Sequence, residues 1–145
     1  MDVLVVVDMQ KDFISGALGT KEAVAIVPRV AKKIAQAKKA GKTVVFTRDT
    51  HHENYLQTQE GKNLPVPHCI ENTPGWEIDP ALDTTGARIF DKPSFGSEEL
   101  VQYLKGLDNL TSAEFVGLCT DICVISNALL AKAYLPETPV YVDAA

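Results

Sequence analysis

Unbroken apolar runs alternate along this chain with stretches in which apolar residues recur every three or four positions. Val3 to Val7 is a continuous β-branched and leucine run, the pattern of a strand buried on both faces, and it ends at Asp8. Thr43 to Thr47, Ala87 to Phe90, Ser112 to Gly117 and Pro139 to Val142 read as four further short strands. Between them, Val30, Ile34 and Ala37 form the inward stripe of a helix, with Pro28 in its first turn and Gly41 as its stop. Ser97 can cap a second helix, which carries Glu98 and Glu99 at the positive end of its dipole and Leu100, Tyr103 and Leu104 on its apolar side. A third helix is expected from near Cys123 to Leu135, stopping before Pro136.

Strands alternating with helices predict an α/β fold, a doubly wound, Rossmann-like parallel sheet with helices on both faces. The 145 residues are read as a single domain, 1–145, with no internal repeat and no linker. Only from Thr50 to Thr85 does the pattern break, with at most one short helical turn expected near Asp79 to Leu82. That stretch holds all three histidines, four of the eight prolines and the only tryptophan. So long an irregular insertion in a compact domain is usually functional or disordered, and this composition favours function.

Open α/β sheets bind ligands beyond the carboxyl ends of their strands. Here those ends carry Asp8, Asp49 with His51, Lys92, and the turn from Cys119 to Cys123. Four successive strands thus deliver a reactive side chain to one edge. A thiol near a helix N-terminus feels the positive end of the macrodipole, and free backbone N–H groups there can also bind an oxyanion. Asp8 can take the proton of Cys123 and later give it to a departing amine, while Lys92 holds the carboxylate and thiolate electrostatically. Asp49-x-His51 with Glu60 and His68 makes a mononuclear metal set suited to Zn²⁺, Mn²⁺ or Fe²⁺, with His52 and Cys69 as weaker competitors. Cys119 and Cys123 lack the second pair that a structural zinc site needs.

Composition narrows the picture by exclusion. A net charge of −5, with no basic amphipathic run, argues against nucleic acid or an anionic membrane as partner. No apolar run is long enough to cross a bilayer, and no charged leader precedes the first strand, so no secretion signal is expected. Three cysteines, an odd number, do not make a disulfide framework, and a reducing cytoplasmic setting is expected.

Three segments resemble the signature segments of the isochorismatase-like cysteine hydrolases: Val-Val-Val-Asp-Met-Gln-Lys-Asp-Phe (Val5 to Phe13), Asp-Lys-Pro-Ser-Phe (Asp91 to Phe95) and Gly-Leu-Cys-Thr-Asp-Ile-Cys-Val (Gly117 to Val124). The resemblance covers essentially the whole chain and implies catalytic Asp8, Lys92 and Cys123. It also implies a non-proline cis peptide before Cys119 and an oxyanion hole from the N–H groups of Cys119 and Cys123. Within the family, Asp49, His51, Glu60 and His68 resemble the metal loop of nicotinamidases, which carry both triad and metal. Carbamoyl-group amidohydrolases keep the triad without the metal, and isochorismatases proper lack the cysteine. The resemblance therefore implies nicotinamide hydrolysed to nicotinate and ammonia, a step in NAD salvage. Another small-amide or carbamoyl hydrolase, or a non-catalytic binding protein on the same fold, are the alternatives.

Phe13 resembles the aromatic wall that stacks on the pyridine ring. Where relatives place an aromatic residue before the metal-binding histidine, this chain has Leu64 and Pro65, with Trp76 or Phe95 as substitutes. Relatives continue for a further helix and strand beyond Ala145. The fifth strand should then leave an uncovered edge, and the chain is expected to form homo-oligomers through it.

Overall fold

In the computed structural model, described over residues 1–143, the long apolar run is the middle of a sheet. Strands β1 (Asp2–Val7), β2 (Thr43–Asp49), β3 (Arg88–Lys92), β4 (Ser112–Gly117) and β5 (Val140–Val142) pair in parallel in the order β3-β2-β1-β4-β5. The order reverses at β1, which has β2 on one side and β4 on the other. A central parallel strand is covered on both faces, which is why Val3 to Val7 has no polar alternation.

The two faces have separate cores. Helix α2 (Lys21–Lys39) lays Val27, Val30, Ile34 and Ala37 onto Leu4, Val6, Val44 and Phe46. On the opposite face α4 (Glu98–Lys105) and α5 (Ile125–Tyr134) pack Leu100, Leu104, Ala128 and Ala131 against Val3, Val5, Val45 and Phe115. Side chains of a strand point alternately to either face, so one β1 run serves both layers. The doubly wound three-layer architecture read from the sequence is the observed one.

Several local expectations are corrected. Helix α2 starts at Lys21, a full two turns before Pro28, because the Thr20 hydroxyl accepts from the Ala23 N–H at 3.0 Å and caps it there. Pro28 is interior but exposed, on the same face as exposed Val24, whose carbonyl loses its intrahelical donor and can be met by water. The third helix is entered through a π-type turn, Thr120–Val124, with the Val124 N–H on the Cys119 carbonyl at 3.0 Å. Asp79 to Leu82 forms the single turn expected there, closed by the Leu82 N–H on the Asp79 carbonyl at 3.0 Å. The insertion also carries two 3₁₀ turns, Tyr55–Gln57 and Pro74–Trp76, and the short α3 (Gln59–Asn63), capped by Thr58. Before them comes α1 (Lys11–Ile14). Strand β5, which among the described residues pairs only with β4, leaves Tyr141 57% and Val142 38% exposed.

Two backbone features bring the strand ends together. Asp8 has φ +51°, which turns the chain out of β1 while its N–H still donates to the Thr47 carbonyl at 3.1 Å. Gly117 has φ +128°, and a Cβ there would collide with the Val7 carbonyl. Only glycine lets β4 close so tightly on β1 and deliver the following turn beside Asp8. The Leu118–Cys119 peptide that follows is cis. Among the described residues no helix is long and apolar enough to cross a membrane.

Candidate active site

Asp8 and Lys92 meet at the carboxyl edge as a fully buried ion pair, Lys92 Nζ to Asp8 Oδ2 at 2.7 Å. The Thr47 hydroxyl donates to the other oxygen, Oδ1, at 2.7 Å, and Lys92 also donates to the Ser94 carbonyl at 3.0 Å. Burial pushes the Asp8 carboxyl above the usual carboxylate range, against the opposing charge of Lys92. For Lys92, burial alone would lower the ammonium, but the carboxylates of Asp8 and Asp49 outweigh it and hold it raised. Asp8 is thus a stronger base than an exposed carboxylate, with its counter-charge fixed beside it.

Cys123 is the fourth residue of the π-type turn, 5% exposed, against the Asp8 carboxylate. Its thiol is pushed up, first by burial and then by the Asp8 charge, with Lys92 pulling the other way. The helical turn opens three residues earlier, at Thr120, so Cys123 stands inside the turn and not at its first N–H groups. The pair is a protonated thiol next to a carboxylate of raised basicity, which suits proton transfer at the moment of attack. The Cys119 N–H makes no hydrogen bond among the described residues and is available to an incoming oxygen. Asn127, from α5, fixes the turn: its amide donates to the Cys123 carbonyl at 2.8 Å and the Phe95 carbonyl at 3.0 Å, and accepts from the Ser97 N–H at 2.8 Å.

A second cluster adjoins the first. Donor atoms of Asp49, His51, Glu60 and His68 all lie within 4.8 Å of one another. His51 Nε2 is 2.9 Å from Asp49 Oδ2 and 3.2 Å from Glu60 Oε2; His68 Nε2 is 3.5 Å and 3.8 Å from the same oxygens. Two observations fit this set to a divalent ion. His68 Nδ1 lies 2.8 Å from the Val66 carbonyl, a contact that assigns the ring proton to Nδ1 and leaves Nε2 as a lone-pair donor. Asp49 Oδ1 is buried with no hydrogen-bond partner among the described residues. Two imidazoles with two carboxylates suit zinc, manganese or iron. Burial would raise the Asp49 carboxyl, but the neighbouring His51 and His68 rings and the charge of Lys92 hold it well below the usual range. Lys92 Nζ, 3.7 Å from Asp49 Oδ1, links the two clusters.

Phe13 stands edge-on to His68, ring centroids 5.4 Å apart, as one wall of this region. Trp76 does not join it. Its ring stacks 3.8 Å from the Arg48 guanidinium and donates to the Thr50 hydroxyl at 3.0 Å. Arg48 and Thr50 flank Asp49, the last residue of β2, so the partners that hold the Trp76 ring point away from the Asp49 side chain. Leu64 and Phe95 are 41% and 43% exposed. His52 is exposed and pairs with Glu71 at 3.7 Å, away from the set. Cys69 is buried, and burial pushes its thiol up, so it stays protonated.

Sequence reasoning passed over Gln10, Thr47, Tyr55 and Asn127. Gln10 is fully buried; its amide accepts from the Asp49 N–H and donates to the Asp49 carbonyl, both at 2.8 Å, and donates to the Trp76 carbonyl at 2.8 Å. Tyr55 stands edge-on to both histidines at 4.7 and 5.1 Å and donates to the Leu64 carbonyl. Burial and the charges of Glu60 and Asp49 raise its phenol to about 12, so it remains a neutral wall. Gln10 lies inside the Val5 to Phe13 segment, the one signal that could have drawn attention to it. A groove of about 970 Å³ between α2 and the β4–β5 edge, at the amino ends of β1 and β4, holds none of these side chains.

An Asp–Lys–Cys set at the carboxyl edge of a doubly wound parallel sheet defines the class of the α/β cysteine hydrolases. The chain belongs to the isochorismatase domain family, whose model matches residues 2–143. It is 30% identical over 162 residues to the nicotinamidase/pyrazinamidase of Mycobacterium tuberculosis, covering 99% of this chain and 85% of that protein. With the nicotinamidase of Schizosaccharomyces pombe it shares 28% identity over 169 residues, 89% of this chain and 76% of the relative. The solved structure of the pyrazinamidase of Pyrococcus horikoshii in complex with zinc superposes with a TM-score of 0.83 at 34% identity, over 97% of this chain and 82% of the other.

Proposed function

We propose that this protein is an amidohydrolase that converts nicotinamide to nicotinate and ammonia. The observation that carries the reading is the junction of the two clusters. A buried base–thiol pair, Asp8 and Cys123, shares Lys92 with a four-donor set that suits a metal ion. A carbamoyl hydrolase needs only the first cluster. The substrate ring would lie against Phe13. When bound by Asp49, His51, Glu60 and His68, a divalent ion, zinc by preference, supplies a Lewis acid for the pyridine nitrogen.

Asp8 takes the thiol proton as the Cys123 sulfur bonds to the amide carbon, and the carbonyl electrons move onto oxygen. The N–H groups of Cys119 and Cys123 hold that oxyanion; each such donor contributes about 3–4 kcal/mol to the barrier reduction. Asp8 then protonates the amide nitrogen, the C–N bond breaks and ammonia leaves. Water, deprotonated by Asp8, hydrolyses the thioester and restores the thiol. Lys92 holds Asp8 aligned and balances the negative charge as the proton moves on and off the carboxylate. We place this reaction in the cytoplasm, with nicotinate returned to NAD synthesis.

The test is ammonia release from nicotinamide measured with metal content. Removing the ion with a strong chelator is expected to raise KM for nicotinamide more than it lowers kcat, because the ion orients the ring and takes no part in the attack. Full activity on nicotinamide after complete metal removal would count against the ring-anchoring role and favour the carbamoyl-type alternative. We also propose self-association through the open side of β5, where Tyr141 and Val142 are exposed. Sedimentation showing only monomer across a wide concentration range would exclude it.

A further inference from the structure

His68 reaches its neighbours from an awkward stretch of backbone. The next residue, Cys69, has φ +49°, a left-handed conformation that a side-chain-bearing residue avoids. Something must hold the chain there, and the structure shows what does. Asp12, on α1 and 57 residues away, accepts the Cys69 N–H on its Oδ2 at 2.8 Å. The same carboxylate is seated on Gly75, where a Cβ would overlap both of its oxygens. Gly75 itself belongs to the Pro74–Trp76 turn, whose last carbonyl is held by Gln10 at 2.8 Å. The residue following Asp12 is Phe13, which lies edge-on to His68. One short helix thus grips the His68 segment twice, by backbone through Asp12 and by ring through Phe13.

We infer that Asp12 is a positioning residue for the metal ligand His68, holding the His68–Cys69 backbone in the left-handed turn that brings the His68 ring to Asp49 and Glu60, with Gly75 providing the space that lets it do so. The inference rests on the metal-binding reading of the four donors above. Asp12 is not one of the four donors: its Oδ2 reaches the His68 segment through the Cys69 N–H, while its Oδ1 accepts the Ala17 N–H at 3.5 Å within its own loop. Removing it releases a ligand that was pre-placed, and groups of this supporting kind typically change metal affinity by about 10–100-fold.

The test is Zn²⁺ affinity of the metal-stripped full-length protein, read by competition against a chromogenic chelator, with thermal unfolding recorded for every variant. Asp12→Ala is expected to weaken binding about 10-fold or more, and Asp12→Asn, which keeps an oxygen acceptor for the Cys69 N–H, to recover most of that loss. Gly75→Ala, which crowds the carboxylate without removing it, should imitate Asp12→Ala. In a His68→Ala background, Asp12→Ala should change affinity no further, because the path runs through His68. A purely structural role would lower the Tm of Asp12→Ala and leave the affinity of the folded fraction unchanged, or would weaken binding equally with and without His68. Either result overturns the inference. If the parent protein and His68→Ala bind Zn²⁺ equally weakly, the four-donor reading itself has failed, an outcome separate from a failure of Asp12 alone.

Discussion

Cys123→Ala is expected to remove nicotinamide hydrolysis, lowering kcat by about 10⁴-fold or more, because Cys123 is the thiol that stands against Asp8. The other free thiols are poor substitutes. Cys119 precedes the turn, and Cys69 lies in the His68 loop with its N–H held by Asp12; Cys123 is the thiol hydrogen-bonded to Asp8. The fold should survive, since the substitution removes one buried sulfur atom and costs about 1 kcal/mol. Circular dichroism and the unfolding midpoint check that point. Cys119→Ala is the informative control: only its backbone N–H is used, so activity should fall less than about 10-fold. An electrophilic analogue should add mass at Cys123 in the parent protein and not in Cys123→Ala. Equal loss of activity in the two cysteine variants would remove the assignment of the nucleophile.

The layers of the fold were legible because apolar continuity in Val3 to Val7 and helical spacing in Val30, Ile34 and Ala37 report burial directly. The sheet edge followed from strand polarity alone, and it brought Asp8, Asp49, Lys92 and Cys123 to one place. What the sequence hid was local and non-periodic. The start of α2 depends on one threonine cap, which competes poorly for attention with a proline. Trp76 looked like a ring for the substrate because its class suits that role. Its position is instead decided by the stacking partner Arg48, itself held by Asp91 at 2.6 and 3.0 Å. The upward shift of the Cys123 thiol was invisible for a related reason. A dipole can be read from a helix boundary, but burial beside a carboxylate needs three strands in register. Gln10 and Asn127 act through backbone groups far away in sequence, so no spacing rule marks them.

The Asp8–Lys92 pair should separate stability from catalysis. Both side chains are wholly buried, so removing either partner leaves an uncompensated charge. Asp8→Asn takes from the Lys92 ammonium its nearest counter-charge, leaving Asp49 at 3.7 Å, and Lys92→Met leaves the Asp8 carboxylate with the Thr47 hydroxyl and the Cys123 thiol but no counter-charge of its own. Each single change is expected to cost about 3–5 kcal/mol. The double variant Asp8→Asn/Lys92→Met removes both charges and should recover more than about half of that loss in a double-mutant cycle. Recovery stops short of complete because Asp49 Oδ1 loses its neighbour Lys92, 3.7 Å away. In Lys92→Met the Asp8 carboxyl, already raised by burial, loses the charge that opposed that rise. Its folded pKa then stands further above the unfolded value of about 3.9, so folding takes up a proton. The variant's stability relative to the parent should therefore be best below about pH 4 and fall as pH climbs through the raised value. Activity should follow a different rule. An asparagine at position 8 cannot accept the thiol proton, so Asp8→Asn and the double variant should both lose about 10²–10⁴-fold in kcat whatever their stability. Chemical denaturation against pH, run beside ammonia release, reads both quantities on the same samples. Activity returning together with stability in the double variant would show the pair to be a structural clamp and would move the proton-transfer role away from Asp8.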